Sequence, residues 1–157
     1  MYAMHLELPQ PARADVITLL RVRLADAVDL ACRMRQAYWG MSDQHSSKRR
    51  EMFEAFHDEI DECIDKLSRR IASLSGVAER SVRAAALERS LGRYPLNIRT
   101  VEPHEKIVSR VLARFSRRVR AHVDQATELG DAGTADVLSD ISRRLETQLW
   151  MADARLF

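Results

Sequence analysis

The sequence has few of the residues that interrupt helices or cross-link chains: five glycines, four prolines and two cysteines in 157 residues. Few glycines and prolines predict long, uninterrupted elements. No apolar run reaches the roughly 20 residues of a membrane span, and residues 1–15 lack the basic and apolar segments of a secretory signal peptide. We therefore expect one cytoplasmic domain over residues 1–157, with Cys32 and Cys63 as buried, reduced thiols.

Strand-like alternation and internal repeats are also absent, whereas apolar residues recur at spacings of three and four. This periodicity predicts a first helix from Pro11 to near Gly40 and a second over 48–74, with Gly76 as its C′ residue. Two further helices follow, the third opened by Pro103 and ended by Gly130. Residues 78–91 predict a short extra helix between the second and third. The expected fold class is all-α, an up-and-down four-helix bundle with one long crossover, the connection of ferritin-like folds.

The second predicted helix has two opposed stripes. The apolar stripe comprises Met52, Phe53, Phe56, Ile60, Cys63, Ile64, Leu67, Ile71 and Leu74. The ionised stripe comprises Arg50, Glu54, His57, Asp58, Asp61, Asp65 and Arg69. An ionised stripe of this density is a solvated face, a face for a partner or a metal site, and the sequence pattern alone leaves the three open.

Several segments resemble Dps proteins (DNA-binding proteins from starved cells). Residues 24–30 with Gln36-Ala37-Tyr38-Trp39 resemble their first helix, which ends in His-Trp, and Tyr94-Pro95-Leu96 resembles the segment before their third helix. Residues 130–136 and 142–150 resemble their fourth-helix signature. The resemblance implies a ferritin-like subunit of a dodecameric cage that stores iron and protects against oxidative stress.

The resemblance also implies an iron-oxidation site shared by two subunits, and this sequence replaces much of its ligand set. The two histidine positions are Tyr38 and Arg50, the nearby acid is Glu54, the aspartate is kept as Asp65, and the glutamate is Arg69. The formal charges of the last four residues sum to zero. We therefore expect an arginine–carboxylate lock in place of an active centre, with the oxidation chemistry lost or greatly weakened.

A shared site agrees with helix geometry, because Glu54 and Asp65 lie about 16 Å apart along one helix. They meet only across a two-fold interface, where Glu54 of one chain faces Asp65 of the other. In the same register Asp58 faces Asp61, and Arg50 faces Arg69. The predicted partner is therefore another copy of this chain, docked through the second helix.

One alternative retains a metal. Glu54-x-x-His57 has the spacing of di-iron carboxylate bundles, and Asp58, Asp61 and Glu62 are close enough to form a shifted site for iron. A complete site needs a second Glu-x-x-His, which the sequence lacks. We favour a hydrated or salt-bridged face with His57 as a surface histidine.

Aromatic residues at two helix ends have simpler explanations. Tyr38 is predicted to be an interfacial aromatic that donates its hydroxyl to a carboxylate. Trp39 and Trp150 are predicted to be packing residues.

Asp131, Asp136 and Asp140 match positions where the resemblance implies acids around pores that admit iron. Capping of the fourth helix is an alternative, because acids in a first turn accept hydrogen bonds from backbone N–H groups. We weigh the two equally for Asp136 and favour capping for Asp131.

The sequence gives little support for DNA binding, since residues 1–10 contain no Lys or Arg and the net charge is only +2. Binding through surface arginines of the basic clusters is left as an option, the clusters being Lys48-Arg49-Arg50, Arg117-Arg118-Arg120 and Arg143-Arg144. The leading function is an iron-storage and stress-protection cage with a degenerate ferroxidase centre. The alternative is a non-enzymatic shell, nucleoid or partner-binding assembly that no longer handles iron. A mixed shell with an active paralogue is also left open.

Overall fold

The protein, described here from a computed structural model, is a bundle of long helices. The structure describes residues 8–40, 47–79, 83, 84, 86 and 101–156. Its four helices are α1 (Gln10–Gly40), α2 (Ser47–Ser73), α3 (Val101–Glu128) and α4 (Ala132–Leu156). No strand occurs in these ranges, and the predicted all-α class is confirmed. The loop expected over 41–46, and most of the short helix expected over 78–91, lie outside the described residues.

The order of helix contacts defines the topology. α1 packs against α2 and α3, and α4 packs against α3 and α2. The most extensive contacts join α1 to α2 and α3 to α4, the consecutive pairs. The chain therefore forms two antiparallel hairpins, which the long segment between Ser73 and Val101 connects.

The apolar stripe of α2 is the centre of the core. All nine of its predicted apolar side chains are buried, as the helical spacing requires. Phe53 and Phe56 meet edge to face, with ring centroids 6.4 Å apart. Each large side chain buried in this way contributes roughly 1.5–3 kcal/mol relative to an exposed one. This burial fixes the rotation of α2 and leaves its ionised stripe on the surface.

The end of α2 differs in one residue from the prediction. The left-handed position is Ser75, with φ of 63°, rather than Gly76. Gly76 N–H donates to the Ile71 carbonyl at 2.9 Å, and Ser75 N–H donates to Ala72 at 3.0 Å, the hydrogen bonds of a Schellman motif. Gly76 is needed for space, because a Cβ there would lie 2.8 Å from Ile71 Cγ2 and 3.1 Å from Ile17 Cγ2.

A tight junction joins α3 to α4. Gly130 has φ of 81°, and the next residue, Asp131, donates its N–H to the Ala126 carbonyl at 2.9 Å. The Asp131 side chain then accepts a hydrogen bond from Thr134 N–H at 3.1 Å, which makes it the N-cap of α4. The junction therefore sets where α4 begins and which residues lie in its first turn.

Three expectations about individual side chains are wrong. Cys63 is buried as predicted, but Cys32 is exposed. Trp39 and Trp150 are 76% and 70% exposed and do not pack inside the subunit. All three lie on helix faces turned away from the core. The spacing of apolar residues was not enough to distinguish these exposed positions from buried ones. Within the described ranges, no helix is both long and apolar enough to cross a membrane.

Candidate functional site

A groove between the end of α1 and the start of α2 contains several of the predicted site residues. It holds a cavity of about 220 Å³, floored by Met34 and Phe53. Tyr38 of α1 lines the cavity together with three polar residues of α2: Glu54, His57 and Asp58. The apolar stripe of α2 is buried against α1, so the adjacent polar stripe is held at the edge of this groove.

An arginine lies beside this groove where the resemblance implies a histidine ligand. The guanidinium carbon of Arg50 is 5.8 Å from the centroid of the Tyr38 ring, a cation–π contact. The Tyr38 ring also meets Trp39 edge to face, with centroids 5.5 Å apart. A permanent positive charge therefore lies against the aromatic wall of the groove, where it repels an approaching metal cation.

His57 lies near acids without being bound tightly by them. Its Nδ1 is 3.7 Å from Asp61 Oδ2 and 3.9 Å from Asp58 Oδ1, beyond ordinary hydrogen-bond distance. The His57 side chain is 15% exposed, and both acids are largely exposed. Within the part of the chain that the structure describes, no group of three His, Cys, Asp or Glu residues is placed to hold a metal ion. A shifted site assembled from two subunits stays a prediction.

The remaining positions of the predicted two-subunit site lie farther along α2. Glu54 and Arg69 are exposed, and Asp65 is half-buried. One subunit does not bring Glu54 and Asp65 together, because three helical turns separate them on the same helix. The pairing of these residues across a two-fold axis stays a prediction.

Two of the three acids predicted to line a pore are already matched by cations. Asp131 is buried and accepts a hydrogen bond from Arg70 Nη2 at 2.7 Å, in addition to capping α4. Capping, favoured for this residue, is therefore what the structure shows. Arg70 Nε also donates to Thr134 Oγ1 at 2.8 Å. This arginine thus fastens the end of α2 to the first turn of α4.

Asp140, one turn beyond Asp136, accepts a hydrogen bond from Lys66 and lies 3.3 Å from Arg144 Nε. The hydrogen bond from Lys66 lowers the pKa of the Asp140 carboxyl. Arg144 in turn pairs with Glu59 at 3.1 Å. Asp136 is exposed and forms no ion pair with any residue in the described ranges. Of the three predicted pore acids, it is the one best able to attract a cation.

Helix α1 carries a set of buried charges that was not predicted from the sequence. Arg23 pairs with Asp26 at 3.1 Å, and Arg33 pairs with Asp29 at 2.8 Å. Arg23 and Arg33 are each 4% exposed, and Asp26 is fully buried. Burial lowers the pKa of Arg23, and the negative charge of Asp26 partly offsets this lowering. The spacing of opposite charges three and four residues apart, among apolar neighbours, is the signal that could have revealed these pairs.

His122 lies beside this buried cluster. Burial, together with the nearby charge of Arg23, lowers the pKa of His122 from 6.5 to about 4. The imidazole is therefore neutral near pH 7.

Comparison with known proteins agrees with this architecture. The sequence model of the ferritin-like domain matches residues 17–156, so the chain belongs to the ferritin-like family. A DNA protection during starvation protein of Agrobacterium fabrum is 29% identical over 150 residues, which cover 96% of this chain and 93% of that protein. DpsA14 from Streptomyces coelicolor superposes with a TM-score of 0.89 at 27% identity, covering 97% of this chain and 90% of that one.

A Dps protein from Vibrio cholerae O1, described as a member of a broad superfamily of ferritin-like diiron-carboxylate proteins, superposes with a TM-score of 0.87. It is 22% identical, and the match covers 100% of this chain and 99% of that one. Within the ferritin-like family the chain is a Dps protein, as its sequence motifs predicted.

Proposed function

We propose that this chain forms a Dps-type cage, a dodecamer by family resemblance, that stores iron and protects against oxidative stress with a degenerate ferroxidase centre. The observation that carries the second half of the proposal is the guanidinium of Arg50 over the Tyr38 ring. Three of the five positions that the resemblance assigns to metal ligands hold Tyr38, Arg50 and Arg69, none of which is an ordinary ligand for ferrous ion.

Electrostatics supports the loss of iron oxidation. Arg50 and Arg69 contribute two positive charges, and Glu54 and Asp65 contribute two negative charges, so the formal charge of the set is zero. Ferrous ion binds where carboxylates and imidazoles outnumber the positively charged side chains of the site. A set with no net negative charge offers a ferrous ion little electrostatic attraction to compensate for the loss of its hydration shell.

The geometry of one subunit supports a lock between two. The four residues lie on the polar stripe of α2, where Glu54 and Arg69 are exposed and the other two are half-buried, and the opposite face of the helix is buried in the core. In an antiparallel two-fold pairing of α2 helices, Arg50 and Glu54 meet Arg69 and Asp65 of the partner subunit. Guanidinium and carboxylate groups then pair bidentately. Desolvation offsets much of the Coulomb attraction, so the lock fixes the register of the interface more than it stabilises it.

The alternative function is a cage that no longer handles iron and acts as a structural or DNA-binding assembly. Arg117 and Arg120 are exposed on α3 and would supply the phosphate contacts of such an assembly. Phosphate contacts make DNA binding steeply salt-dependent. Failure of the intact protein to shift plasmid DNA at low salt would remove the DNA-binding form of this alternative.

An iron assay tests the proposal. The assembled protein is mixed with ferrous iron and hydrogen peroxide, and ferric absorbance is followed against a no-protein control. We expect a rate close to that of the control and no further effect of Glu54→Ala. Oxidation far above the control that Glu54→Ala abolishes would contradict a degenerate centre. Ferric iron that co-elutes with the cage in gel filtration supports storage, whereas its absence supports the alternative.

A further inference from the structure

Helix α3 carries a row of charged residues on its solvent face. The six members of this row are exposed and recur at alternating spacings of four and three: Arg110, Arg114, Arg117, Ala121, Asp124 and Glu128. This spacing is the heptad repeat of a helix seam, so the six side chains form one nearly straight row about 27 Å long. The first half of the row is basic and the second half is acidic.

The charges of this row are unmatched within the subunit. None of its three arginines and two acids forms an ion pair with another residue in the ranges that the structure describes. Arg120, which lies beside the row, is instead paired with Glu146 of α4. A row that is basic at one end and acidic at the other is complementary to a copy of itself running in the opposite direction.

In an antiparallel pairing of two α3 helices, the charges match in one register. Arg110 faces Glu128 of the partner subunit, and Arg114 faces Asp124 of the partner subunit. The two-fold axis repeats both pairs, and near the axis each Arg117 lies opposite a small alanine. A shift of one heptad either halves the number of ion pairs or places Arg114 opposite Arg117. The pattern of charge therefore specifies both the direction and the register of the contact.

This row and the polar stripe of α2 lie on different sides of the bundle. α3 packs against α1 and α4, and α2 packs against the same two helices, so α2 and α3 occupy diagonal corners. Their exposed faces therefore point in different directions. A contact through α3 uses none of the residues of the interface proposed for α2 and leaves that interface free to form.

We infer that the row on α3 is a contact surface for a second copy of this chain in another assembled particle. Every subunit presents one row, so two-fold contacts between particles link them into larger arrays. A nucleic acid is a poorer partner, because Asp124 and Glu128 repel phosphates along half of the row. The inference rests on the proposed assembly of the chain into a particle, but not on its iron chemistry. Because the contact joins finished particles, losing it leaves the fold of each subunit and the interface through α2 unchanged.

The contact is electrostatic and exposed, which makes it sensitive to salt. One exposed ion pair is weak alone, but several rows act together where particles meet in an array. The Debye length falls from about 20 Å in about 20 mM salt to about 4 Å in about 500 mM salt. We therefore expect particles to associate at the lower salt concentration and to separate at the higher one.

Dynamic light scattering of the nuclease-treated assembly measures this association. The wild type should show an apparent hydrodynamic radius at least about twofold larger in about 20 mM than in about 500 mM salt. Arg114→Asp combined with Glu128→Arg keeps the net charge but places like charges opposite each other, so this scrambled variant should not associate. Adding Arg110→Glu and Asp124→Arg completes a full swap that keeps the net charge and restores every pair. The full swap should associate like the wild type.

Gel filtration at the higher salt concentration establishes which particle each protein forms. A wild type that forms no particle would contradict the proposed cage, and a contact between cages with it. Particles that form but stay separate at low salt would contradict this inference alone.

Three further results would overturn the inference. The first is equal association of the wild type and the scrambled variant, and the second is association that disappears on nuclease treatment. The third is dissociation of the scrambled particle into smaller species, which would place the α3 contact inside the cage.

Discussion

Single residues decide what the surface of α2 can bind. Arg50 lies over Tyr38 with its charge held against the aromatic ring, and Arg69 lies exposed four residues beyond Asp65. Each arginine is permanently charged, so neither becomes a metal ligand at any physiological pH. If the proposed degenerate centre is correct, these two arginines make a carboxylate or another anion, rather than a divalent cation, the preferred partner of this helix face.

One titratable residue links stability to pH. The pKa of His122 is lowered from 6.5 to about 4, by burial and then by Arg23. As pH falls through this window the unfolded chain takes up a proton that the folded chain does not, so the folded state loses stability. Discounted for partial solvent exposure, the expected loss between about pH 7 and about pH 5 is about 1 kcal/mol.

Urea denaturation of the wild type and of His122→Gln, at both pH values and one protein concentration, measures this effect. Glutamine keeps a neutral polar side chain, so the variant should lose less stability on acidification than the wild type. Parallel losses in the two proteins would contradict the assignment to His122.

At the scale of elements, α2 and α4 are joined by side chains that contact both. Arg70 donates to Asp131 and Thr134 in the first turn of α4, and its guanidinium lies over Gly133. A Cβ at Gly133 would be 2.7 Å from Arg70 Nη2, so a larger residue there would displace the guanidinium from its present position. The absence of a side chain at one position therefore permits the ion pair at another.

Removing Arg70 should destabilise the bundle. Arg70→Met keeps the apolar stem but leaves the buried carboxylate of Asp131 without its cation, at a cost of about 1–3 kcal/mol. Gly133→Ala should cost less than Arg70→Met, because the guanidinium can shift and alanine is favoured over glycine in a helix by about 1 kcal/mol. Arg114→Met, on the exposed face of α3, is the matched control and should stay within about 0.5 kcal/mol of wild type.

Chemical denaturation at fixed protein concentration measures these differences, since assembly contributes to apparent stability. The proposed fastening role is wrong if Arg70→Met and Arg114→Met unfold at the same denaturant concentration.

At the scale of the whole molecule, the main functional question is whether the proposed two-fold interface can bind and oxidise ferrous iron. The combined variant Tyr38→His, Arg50→His and Arg69→Glu restores the ligand set that the Dps resemblance implies. The formal charge of positions 50, 54, 65 and 69 falls from zero to −3, with the introduced imidazoles neutral. Three carboxylates and two imidazoles suit ferrous ion. The variant should therefore oxidise iron well above the wild-type rate.

Stopped-flow absorbance with ferrous iron and peroxide measures the gain. Arg110→His combined with Arg117→Glu makes the same charge change of −3 on α3 and serves as the control. A restored variant that assembles but oxidises iron no faster than this control would show that more than the ligand set has been lost.

Much of the architecture could be predicted from the sequence, because apolar side chains at helical spacing have one way to be buried together. The buried stripe of α2 and the order of the helices were predicted for this reason. The exposure of Trp39 and Trp150 was not, since a large apolar residue at a helix end fits either a core or a contact between subunits. The site residues predicted on α2 lie on the helix face opposite its buried apolar stripe, but their pairing depends on a second chain and stays a prediction.

The sequence by itself determined the fold class and the zero formal charge of the set Arg50, Glu54, Asp65 and Arg69, because periodicity and residue type are local properties. Only the tertiary structure decided which charges meet: Arg70 with Asp131, Lys66 with Asp140, and Arg23 with Asp26 inside the bundle. It also showed that Ser75, not Gly76, takes the left-handed conformation, and that Ile71 and Ile17 leave no room for a side chain at residue 76. Contacts between distant residues depend on how helices pack, and that packing is a property of the whole chain.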